Sequence, residues 1–464
     1  MNRRFAIALV VVSLFVASLQ CRRAGGVQAD PLDREAEEAL AGYLKIDTSN
    51  PPGNETEGAT YLQAILKKEG IESQLLGSDP KRQSLYARLS SGTSEKALLL
   101  MHHIDVVPAD PAQWTNPPFS GLVSGGYLWG RGALDVKSLG IANLMAMIEL
   151  KRRKSPLKRD VIYLGVADEE LGGLRGAKDL LERYPELFAN VGFVLNEGGF
   201  NETVLDKVTF WGVEVHQKIP LWLRFNVEGI PGHAASPPDG GGAVAKLVRG
   251  LAAVERLETP YRLTPSVRDA FQWTARVRTD ARGELIGSIA EPLDPVALER
   301  DLPQGYRNLL RDTITITRVS GGTSVNVIPA KASADIDIRL LPDSVPEQML
   351  AKVATAVQNE GSIEILLSGE AVPPSSPDTD LFRILEKRMK EDEKGSGVAP
   401  IVGAGTTDSR FFRARGVVAY GIAPFKVNYY DADSVHGTDE RIRTKFFVEG
   451  VRLVRNIVKD FCVR

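Results

Sequence analysis

Apolar and polar positions divide the chain into two kinds of region, and the first alternates strand-length apolar runs with a helical period. The apolar runs occupy residues 97–101, 161–166 and 191–195, and helical periodicity extends over residues 138–151. A continuous apolar run is typical of a strand buried on both faces, as in a parallel sheet covered by helices. The pattern predicts an α/β domain with a mostly parallel sheet, whose ligands gather at the carboxyl ends of the strands.

The second kind of region, in the middle of the chain, has strands with one exposed face. Apolar and polar residues alternate at 221–227, 313–319 and 332–340, with helical patterns at about 243–257 and 346–357. Alternation is typical of a sheet that has one face on a core and one face open. Helix and buried strand return after about Ser375. We therefore predict an α/β domain over residues 29–217 and 373–464, interrupted by an inserted α+β domain over 218–372.

The composition narrows the class of function. The 464 residues are 43% hydrophobic and 25% charged, and 57 basic against 59 acidic side chains give a formal net charge of -2. This is the balance of a soluble globular protein with ample material for a core. Because no basic stripe with interleaved aromatic residues is present, nucleic acid is not an expected partner.

The first 28 residues have the pattern of an export signal. Arg3 and Arg4 precede an apolar run over residues 5–12 that continues to Ala17, which is typical of a secretory signal and marginal for a permanent membrane span. Cys21 follows, so a lipid-anchored envelope protein, a soluble exported protein and a retained N-terminal anchor all remain open. The expected location is periplasmic, envelope-anchored or extracellular. The other cysteine, Cys462, lies far away in sequence, so a disulfide framework is excluded.

The chain has five histidines, and one pair of adjacent histidines follows a predicted strand directly. His103-Ile104-Asp105 comes after the run that ends at Met101. The period of two in an extended chain points His103 and Asp105 the same way, so Asp105 can orient the imidazole of a metal-bound histidine. The alternative is a hydrogen-bonded structural histidine.

Acidic residues follow the next elements in turn. Asp135 lies just before the helix predicted from about 138, where an N-cap is the alternative role. Asp168, Glu169 and Glu170 follow the run 161–166; three adjacent acids repel one another, and either a solvated loop or a divalent cation relieves that repulsion. Glu197 follows the run 191–195. Together these positions predict a metal site at one edge of the sheet.

His436, near the far end of the chain, completes a donor set of nitrogen and carboxylate oxygen without thiolate. Such a set suits zinc, with cobalt or manganese as substitutes. Two histidines and three carboxylates suffice for two tetrahedral zinc ions that share a bridging carboxylate. One glutamate is left over, and metal-assisted hydrolysis requires a general base of that kind.

These motifs resemble the zinc-dependent peptidase and amidohydrolase family of aminoacylase, acetylornithine deacetylase, succinyl-diaminopimelate desuccinylase and glutamate carboxypeptidase. The resemblance covers nearly all of the chain after the export signal, and the ending His436-Gly437-Thr438-Asp439-Glu440-Arg441 is most similar to the carboxypeptidase S and N-fatty-acyl-amino-acid hydrolase branch. It implies a di-zinc peptidase-type catalytic domain with an inserted lid or dimerisation domain. The implied reaction is cleavage of the amide bond next to a free carboxylate in small peptides or N-acyl amino acids.

The resemblance also implies a role for each site residue. His103 and Glu197 would bind one zinc ion, Glu170 and His436 the other, and Asp135 would bridge them. Asp105 would orient His103, and Glu169 would be the general base. The implied catalytic and substrate-binding residues elsewhere are His233 for the oxyanion, Arg339 for the substrate carboxylate, Gly405 and Thr406 in a loop near that carboxylate, and Asn326 along the substrate pocket. The peptide bond from Asp135 to Val136 would be cis.

Two features depart from the family pattern. Position 102 is a histidine where the family commonly has glycine, so His102 is an alternative to His103, which alone has the His-x-Asp spacing. Residues from about 256 to 311 are extra sequence without a recognisable motif, which puts the usual homodimer through the inserted domain in doubt. It also leaves open whether His233 acts across a subunit boundary. His216 we interpret as structural.

Two other functions remain as alternatives. A di-zinc aminopeptidase orders similar ligands on a similar sheet, but it binds a free amine and lacks the inserted domain, so His233, Asn326 and Arg339 argue against it. A non-catalytic envelope protein that binds metal or solute would have no use for Glu169 beside a complete ligand set.

Overall fold

A computed structural model describes residues 30–464 of the chain. The predicted export signal and Cys21 lie outside the described residues. Among residues 30–464, every helix is too short or too polar to cross a membrane.

The helices are distributed along the whole described chain. In chain order they are α1 (Pro31–Tyr43), α2 (Glu55–Lys68), α3 (Lys137–Arg152), α4 (Asp179–Arg183), α5 (Pro185–Phe188), α6 (Ala243–Glu255), α7 (Pro265–Val277), α8 (Ala281–Gly287), α9 (Pro295–Asp301), α10 (Gln304–Arg307), α11 (Pro346–Val357), α12 (Asp380–Asp392), α13 (Ser409–Arg413), α14 (Tyr429–Ala432) and α15 (Thr444–Cys462). Single turns of 3₁₀ helix include Glu169–Leu171 and Asn308–Leu310.

The strands form one large sheet, one smaller sheet and two minor ones. In chain order they are β1 (Ser73–Leu76), β2 (Ser84–Leu89), β3 (Ala97–His103), β4 (Leu122–Ser124), β5 (Tyr127–Trp129), β6 (Val161–Val166), β7 (Val191–Asn196), β8 (Phe200–Val204), β9 (Lys207–Gln217), β10 (Ile219–Glu228), β11 (Gly232–His233), β12 (Thr313–Gly321), β13 (Val327–Ile328), β14 (Lys331–Leu340), β15 (Ser362–Ser368), β16 (Gly397–Gly403), β17 (Val418–Gly421) and β18 (Arg441–Arg443).

The large sheet has the order β1-β2-β6-β3-β7-β17-β9-β16, with β8 paired to β9. Its centre, β6-β3-β7-β17, is parallel, as is the pair β9 and β16, whereas β1, β2 and β8 join antiparallel. The apolar runs predicted as buried strands are β3, β6 and β7, and β3 and β6 are buried along their whole length. The predicted α/β fold with a mostly parallel sheet is confirmed.

Helices cover both faces of this sheet, which explains why its central strands lack polar positions. On one face α3 lies under α15 and α1, and every residue of α3 from Lys137 to Leu150 is buried. A helix that is apolar on all sides is stable only when it is enclosed in this way. A second cluster on the other face includes Leu180, Phe188 and Phe412 from α4, α5 and α13. The sheet is therefore rigid where its strands end.

The smaller sheet has the order β12-β14-β10-β15, and all of its pairs are antiparallel. In β10 and β14 buried and partly exposed residues alternate, and the buried set packs on α6 and α11. The opposite face bears Trp222 and the ion pairs Arg224–Asp335 and Arg339–Asp337. The predicted α+β arrangement with one open face is observed, and in sequence all four strands lie between β9 and β16 of the large sheet.

The extra sequence at about 256–311 forms the helices α7 to α10 around a core of its own. That core includes Val267, Phe271 and Leu309, and it extends to Val402 on β16. Helix α7 packs on β16, the strand that ends the large sheet. An uncovered edge strand invites pairing with other chains, and this packing covers it.

Candidate metal centre

Three neighbouring strands of the large sheet deliver candidate ligands to one edge. His103 is the last residue of β3, and the turn with Glu169 and Glu170 follows β6, while Glu197 follows β7. Since β6, β3 and β7 are adjacent and parallel, their carboxyl ends meet at the same edge. Residues nearly a hundred positions apart in sequence therefore share one site.

The remaining two candidates arrive through the minor sheet of β4, β5 and β18. β5 leads to Asp135, β18 follows the segment with His436, and Arg441 pairs with Trp129 in an antiparallel register. This pairing brings the far end of the chain to the mouth of the large sheet. The peptide bond from Asp135 to Val136 is cis, as predicted.

The five side chains form two groups that share Asp135. In the first, Nε2 of His103 lies 3.2 Å from Oδ1 of Asp135 and 3.5 Å from Oε2 of Glu197. In the second, Nε2 of His436 lies 2.9 Å from Oδ2 of Asp135 and 3.4 Å from Oε2 of Glu170. Each group offers one nitrogen and two carboxylate oxygens within 4.8 Å of one another. The two oxygens of Asp135 thus face different groups.

His103 is oriented by the main chain of Asp105. Nδ1 of His103 lies 2.7 Å from the Asp105 carbonyl oxygen, whereas the nearest Asp105 carboxylate oxygen is 3.8 Å away. Because a carbonyl oxygen only accepts, Nδ1 donates to it, and Nε2 is the ring nitrogen that faces Asp135 and Glu197.

The carboxylate of Asp105 instead holds the turn that follows β6. It accepts hydrogen bonds from Nδ2 of Asn50 at 2.8 Å and from the main-chain nitrogens of Glu169 at 3.2 Å and Glu170 at 3.1 Å. One buried side chain therefore fixes the backbone from which both glutamates extend.

The electrostatics of the site are those of several acids crowded around two imidazoles. Burial raises the pKa of Glu169 well above its usual value, and the charge of Glu197 adds to the effect. Burial also raises the pKa of Glu170, to about 7, against the opposing hydrogen bond from His436. The hydrogen bonds to Asp135 and Glu170 raise the pKa of His436 to about 10. Burial lowers the pKa of His103, but the charge of Glu197 and the hydrogen bonds to Asp135 and Glu197 together outweigh burial, so the pKa lies well above its usual value.

These donors fit divalent cations. Buried carboxylates that repel one another are stable when a cation neutralises them. Oε1 of Glu170 is buried and has no hydrogen-bond partner within residues 30–464. Imidazole and carboxylate ligands without thiolate match zinc and the neighbouring transition metals. The arrangement can hold one cation in each group, with Asp135 between them.

Several supporting residues are not evident from sequence motifs. Glu440 is fully buried and accepts hydrogen bonds from Arg131 and from the main-chain nitrogens of Gly132, Leu134 and Asp135 at 2.7 to 3.0 Å. It therefore shapes the loop that presents Asp135. In the sequence, its position four residues after His436 was the only indication that Glu440 lies near the site.

A second supporting group lies behind the Glu169 turn. Arg82 bridges Glu55 at 2.7 Å and Asp168 at 2.8 Å, and all three side chains are buried. Asp408 is buried beside the turn: a Cβ on Gly173 would lie 1.9 Å from Oδ1 of Asp408. Burial raises the pKa of Asp408 to about 7.

The other two buried histidines lie apart from both groups. Nε2 of His102 is 3.4 Å from the Tyr43 hydroxyl, and burial lowers its pKa to about 3. His102 therefore faces the core side of β3, and His103 alone reaches the candidate ligands. Nε2 of His216 lies 2.7 Å from the Val372 carbonyl oxygen, and burial lowers the pKa of His216 to about 4. Its environment is that of a structural histidine.

His233 and Asn326 lie on exposed loops beyond the smaller sheet. The short strand β11 pairs with β13, and the main-chain nitrogen of Ala234 donates to the Asn326 carbonyl oxygen at 3.1 Å. Nδ1 of His233 accepts a hydrogen bond from the main-chain nitrogen of Ala235 at 3.0 Å. Neither of the two ligand groups includes His233. The structure thus brings His233 and Asn326 together on two paired segments, and His233 is exposed.

Arg339 lies on the open face of the smaller sheet, with its guanidinium 5.5 Å from the ring of Trp222. Nε and Nη2 of its guanidinium already donate hydrogen bonds to the two carboxylate oxygens of Asp337, at 2.7 and 2.8 Å. A substrate carboxylate would have to displace or join Asp337. Gly405 and Thr406 follow β16 and line a cavity together with Glu197. These two residues are therefore the predicted substrate-binding positions that lie beside the ligands.

Comparisons with known proteins agree on one family. The model of Peptidase family M20/M25/M40 matches residues 99–460. The N-fatty-acyl-amino acid synthase/hydrolase PM20D1 of Xenopus tropicalis is 30% identical over 431 residues, which cover 87% of this chain and 81% of the relative. Aminoacylase-1A of Rattus norvegicus is 27% identical over 426 residues, which cover 90% of this chain and 92% of the relative. The M20 family metallo-carboxypeptidase Sso-CP2 from Sulfolobus solfataricus has a similar fold, with a TM-score of 0.70 and 19% sequence identity. The match covers 92% of this chain and 98% of that protein's chain.

Proposed function

Since the chain belongs to peptidase family M20/M25/M40 and is a metal-dependent hydrolase of amide bonds, we propose that it cleaves the amide bond next to a free carboxylate in small peptides or N-acyl amino acids. The observation that carries this proposal is the pair of histidine–carboxylate groups that share Asp135, with the partly buried Glu169 next to them. The names of the relatives, an N-fatty-acyl-amino acid hydrolase and an aminoacylase, support N-acyl amino acids as substrates.

The proposed cofactor is two zinc ions per chain, for which cobalt or manganese can substitute. His103, Glu197 and Asp135 would hold one ion, and Glu170, His436 and Asp135 the other. When bound, the ions supply positive charge that polarises the substrate carbonyl and acidifies water.

Glu169 is the proposed general base. It takes a proton from the attacking water and passes it to the nitrogen of the leaving amine, so that one water is consumed and an acid and an amine are formed. Burial and the charge of Glu197 raise the pKa of Glu169, which makes its carboxylate a stronger proton acceptor than a solvent-exposed glutamate. Asp105 keeps this group in place because it binds the main chain of the Glu169 turn.

The smaller sheet and its loops act as the proposed lid. His233 lies on an exposed loop, so contact with the oxygen of the tetrahedral intermediate requires the lid to close over the substrate. Arg339 binds the substrate carboxylate in the closed state, and the smaller sheet carries it toward the metal centre. Asn326 moves with His233, because the Ala234–Asn326 hydrogen bond joins their loops.

A blocked-substrate panel tests the proposal against a di-zinc aminopeptidase. Alanyl-leucine, its N-acetyl derivative and its C-terminal amide are each incubated with the zinc-loaded protein, and released leucine or leucinamide is measured. The proposed function predicts cleavage of the first two and none of the amide. Cleavage of the amide without cleavage of the acetylated peptide would show an aminopeptidase. Glu169→Gln protein, purified in parallel, reveals any contaminating peptidase.

We also propose that residues 1–28 direct export. The support is the sequence pattern of Arg3, Arg4 and the apolar run that follows. Growth with labelled palmitate distinguishes the forms: label that Cys21→Ser removes indicates a lipoprotein, and unlabelled protein in the medium or periplasm indicates soluble export.

A further inference from the structure

An apolar cavity of about 480 Å³ opens beside Glu197 and extends away from the metal centre. On the side of the large sheet it is lined by Phe200 and Ile401, and by the loop with Gly405 and Thr406. The candidate ligand Glu197 lies at one end, so the cavity starts where the scissile bond would be held.

The opposite wall of this cavity comes from the extra sequence. Gly305, Tyr306 and Leu309, from α10 and the turn after it, line the cavity. The Tyr306 hydroxyl donates to Oε1 of Glu202 at 3.1 Å, and Arg278 binds the other oxygen of Glu202 at 2.8 Å. These contacts fix the wall to β8, so the cavity is a built feature of the fold.

The polar groups around the cavity already have partners within the protein. Glu214 binds Arg413 at 3.2 Å, and the hydroxyl of Thr406 donates to the Lys218 carbonyl oxygen at 3.1 Å. The hydroxyl of Thr407 lies 3.2 Å from Oε1 of Gln217. A polar ligand would find few free hydrogen-bonding groups here, whereas an aliphatic chain would gain from burial.

A second cavity, on the other side of β3, is lined by two partners of Arg339. Trp222 and Asp337, the partners of Arg339, line a separate cavity of about 570 Å³ against Asp168 and Leu171 in the segment after β6. The apolar cavity lies against Glu197 and Gly198, which follow β7, and β3 with His103 lies between β6 and β7. The two cavities therefore adjoin the metal centre from the strands on either side of β3.

We propose that the apolar cavity binds the aliphatic acyl chain of the substrate, and that the extra sequence at about 256–311 sets the chain length the enzyme prefers. This inference rests on the proposed hydrolysis of N-acyl amino acids and names the acyl group within that class. Each methylene that enters the cavity strengthens binding about fourfold until the cavity is full.

Gly305 offers a sharp test, because a Cβ at this position meets no atom within 4 Å and a large side chain can project without disturbing the wall. N-acyl-glycines from acetyl to decanoyl are compared with the wild type, Gly305→Trp and Gly305→Ala. The measured quantities are kcat/KM in each zinc-loaded enzyme and Kd in the same proteins carrying Glu169→Gln. The decanoyl-to-acetyl ratio should fall by at least about 16-fold in Gly305→Trp, the worth of two methylenes, and little in Gly305→Ala.

Val296→Trp is the matched control, because Val296 is 72% exposed on α9 of the same extra sequence and lies outside the cavity. It should keep the wild-type ratio. An unchanged ratio in Gly305→Trp would overturn the proposal, as would an equal loss in Val296→Trp.

A second series separates the acyl chain from the amino-acid side chain. N-acetyl derivatives of glycine, norvaline and norleucine should show no dependence on Gly305→Trp. If that variant alters this series and spares the acyl series, the cavity binds the side chain and the proposal is wrong. If no substrate is hydrolysed but Kd still tightens with acyl length and Gly305→Trp removes the effect, the proposed function fails and the cavity assignment stands.

Discussion

At the scale of single residues, the metal centre depends on four acidic side chains packed at one sheet edge. Asp135, Glu170 and Glu197 each face an imidazole nitrogen within 3.5 Å, and Glu169 lies partly buried beside them. Without cations, repulsion between these carboxylates destabilises the cluster. Cation binding relieves this repulsion, so the cluster favours cations. The roles within it differ because only Asp135 contacts both histidines.

Glu169→Gln separates proton transfer from metal binding. The amide keeps the shape of the side chain but cannot accept the proton, so we expect kcat to fall by ~10² or more while the zinc content is retained. Metal content by mass spectrometry and single-turnover rates check this. Glu182→Gln, an exposed glutamate on α4, is the control. Loss of zinc with a preserved rate after metal is restored would exchange the roles of Glu169 and Glu170.

Zinc binding should release protons. In the metal-free protein the pKa of His436 is raised to about 10 and that of Glu170 to about 7, so at pH 7 His436 and part of Glu170 hold protons that a cation must displace. Affinity for zinc should therefore rise with pH from 6 to 9, with about one proton or more released per chain at pH 7. Calorimetry in buffers of different ionisation enthalpy counts these protons. A pH-independent affinity would show that these histidine and carboxylate groups are not the ligands.

Much of the ligand set was predictable because the ligands follow strands whose apolar runs are visible in the sequence. His103, Glu170 and Glu197 are of this kind. The supporting contacts were not predictable, since Asn50 meets Asp105 only after folding, 55 positions away in sequence. For the same reason, no local pattern shows that the main-chain oxygen of Asp105 is the atom that orients His103.

At the scale of elements, the pairing of β5 with β18 makes the second ligand group possible. Glu440, directly before β18, accepts hydrogen bonds from the loop that leads from β5 to Asp135. This buried carboxylate joins two segments about 300 positions apart, so the position of His436 and that of Asp135 are set together.

Glu440→Gln should therefore weaken metal binding although Glu440 touches no candidate ligand side chain. The amide lacks the negative charge that pairs with Arg131. Its NH₂ group would also face main-chain N–H groups that need an acceptor. We expect zinc affinity to fall by about 10- to 100-fold, the usual effect of removing such support. Competition with a chromogenic chelator measures it, with exposed Glu228→Gln as the control. Wild-type affinity in Glu440→Gln would show that the loop holds its shape without this carboxylate.

The sequence pattern did not lead us to predict the helices of the extra sequence, although one of them has a helical period. The buried positions of α7 are Val267, Ala270, Phe271 and Thr274, which follow the spacing of an amphipathic helix. The short helices α8, α9 and α10 carry too few residues for a period to show. Their packing on β16 is a tertiary contact that no local pattern encodes.

At the scale of the whole molecule, the proposed mechanism requires the smaller sheet to move toward the large one. His233 and Arg339 belong to the smaller sheet and its loops, and the ligands belong to the large sheet. The order of the two kinds of sheet along the chain was predictable from the hydrophobic pattern. A strand buried on both faces is a continuous apolar run, whereas a strand with one exposed face alternates apolar and polar residues. Closure of the smaller sheet over the substrate follows from the family resemblance and stays a prediction.

Two lid substitutions should affect different kinetic constants. His233→Ala removes an oxyanion donor and should mainly lower kcat, by about a hundredfold or ~3 kcal/mol. Arg339→Ala removes the carboxylate-binding fork and should mainly raise KM, with Arg339→Lys restoring it only in part because a single ammonium lacks the fork. Steady-state kinetics on one N-acyl amino acid separates the two. An unchanged kcat in His233→Ala would show that the smaller sheet serves only as a scaffold.

The most direct test of the whole account is a zinc titration of the metal-free protein, followed by hydrolysis of an N-acyl amino acid. Chelation should abolish activity, and activity should return and saturate at two zinc ions per chain, with cobalt also effective. Full activity in protein shown to be free of metal would contradict the account, and saturation at one ion would remove the bridging role of Asp135.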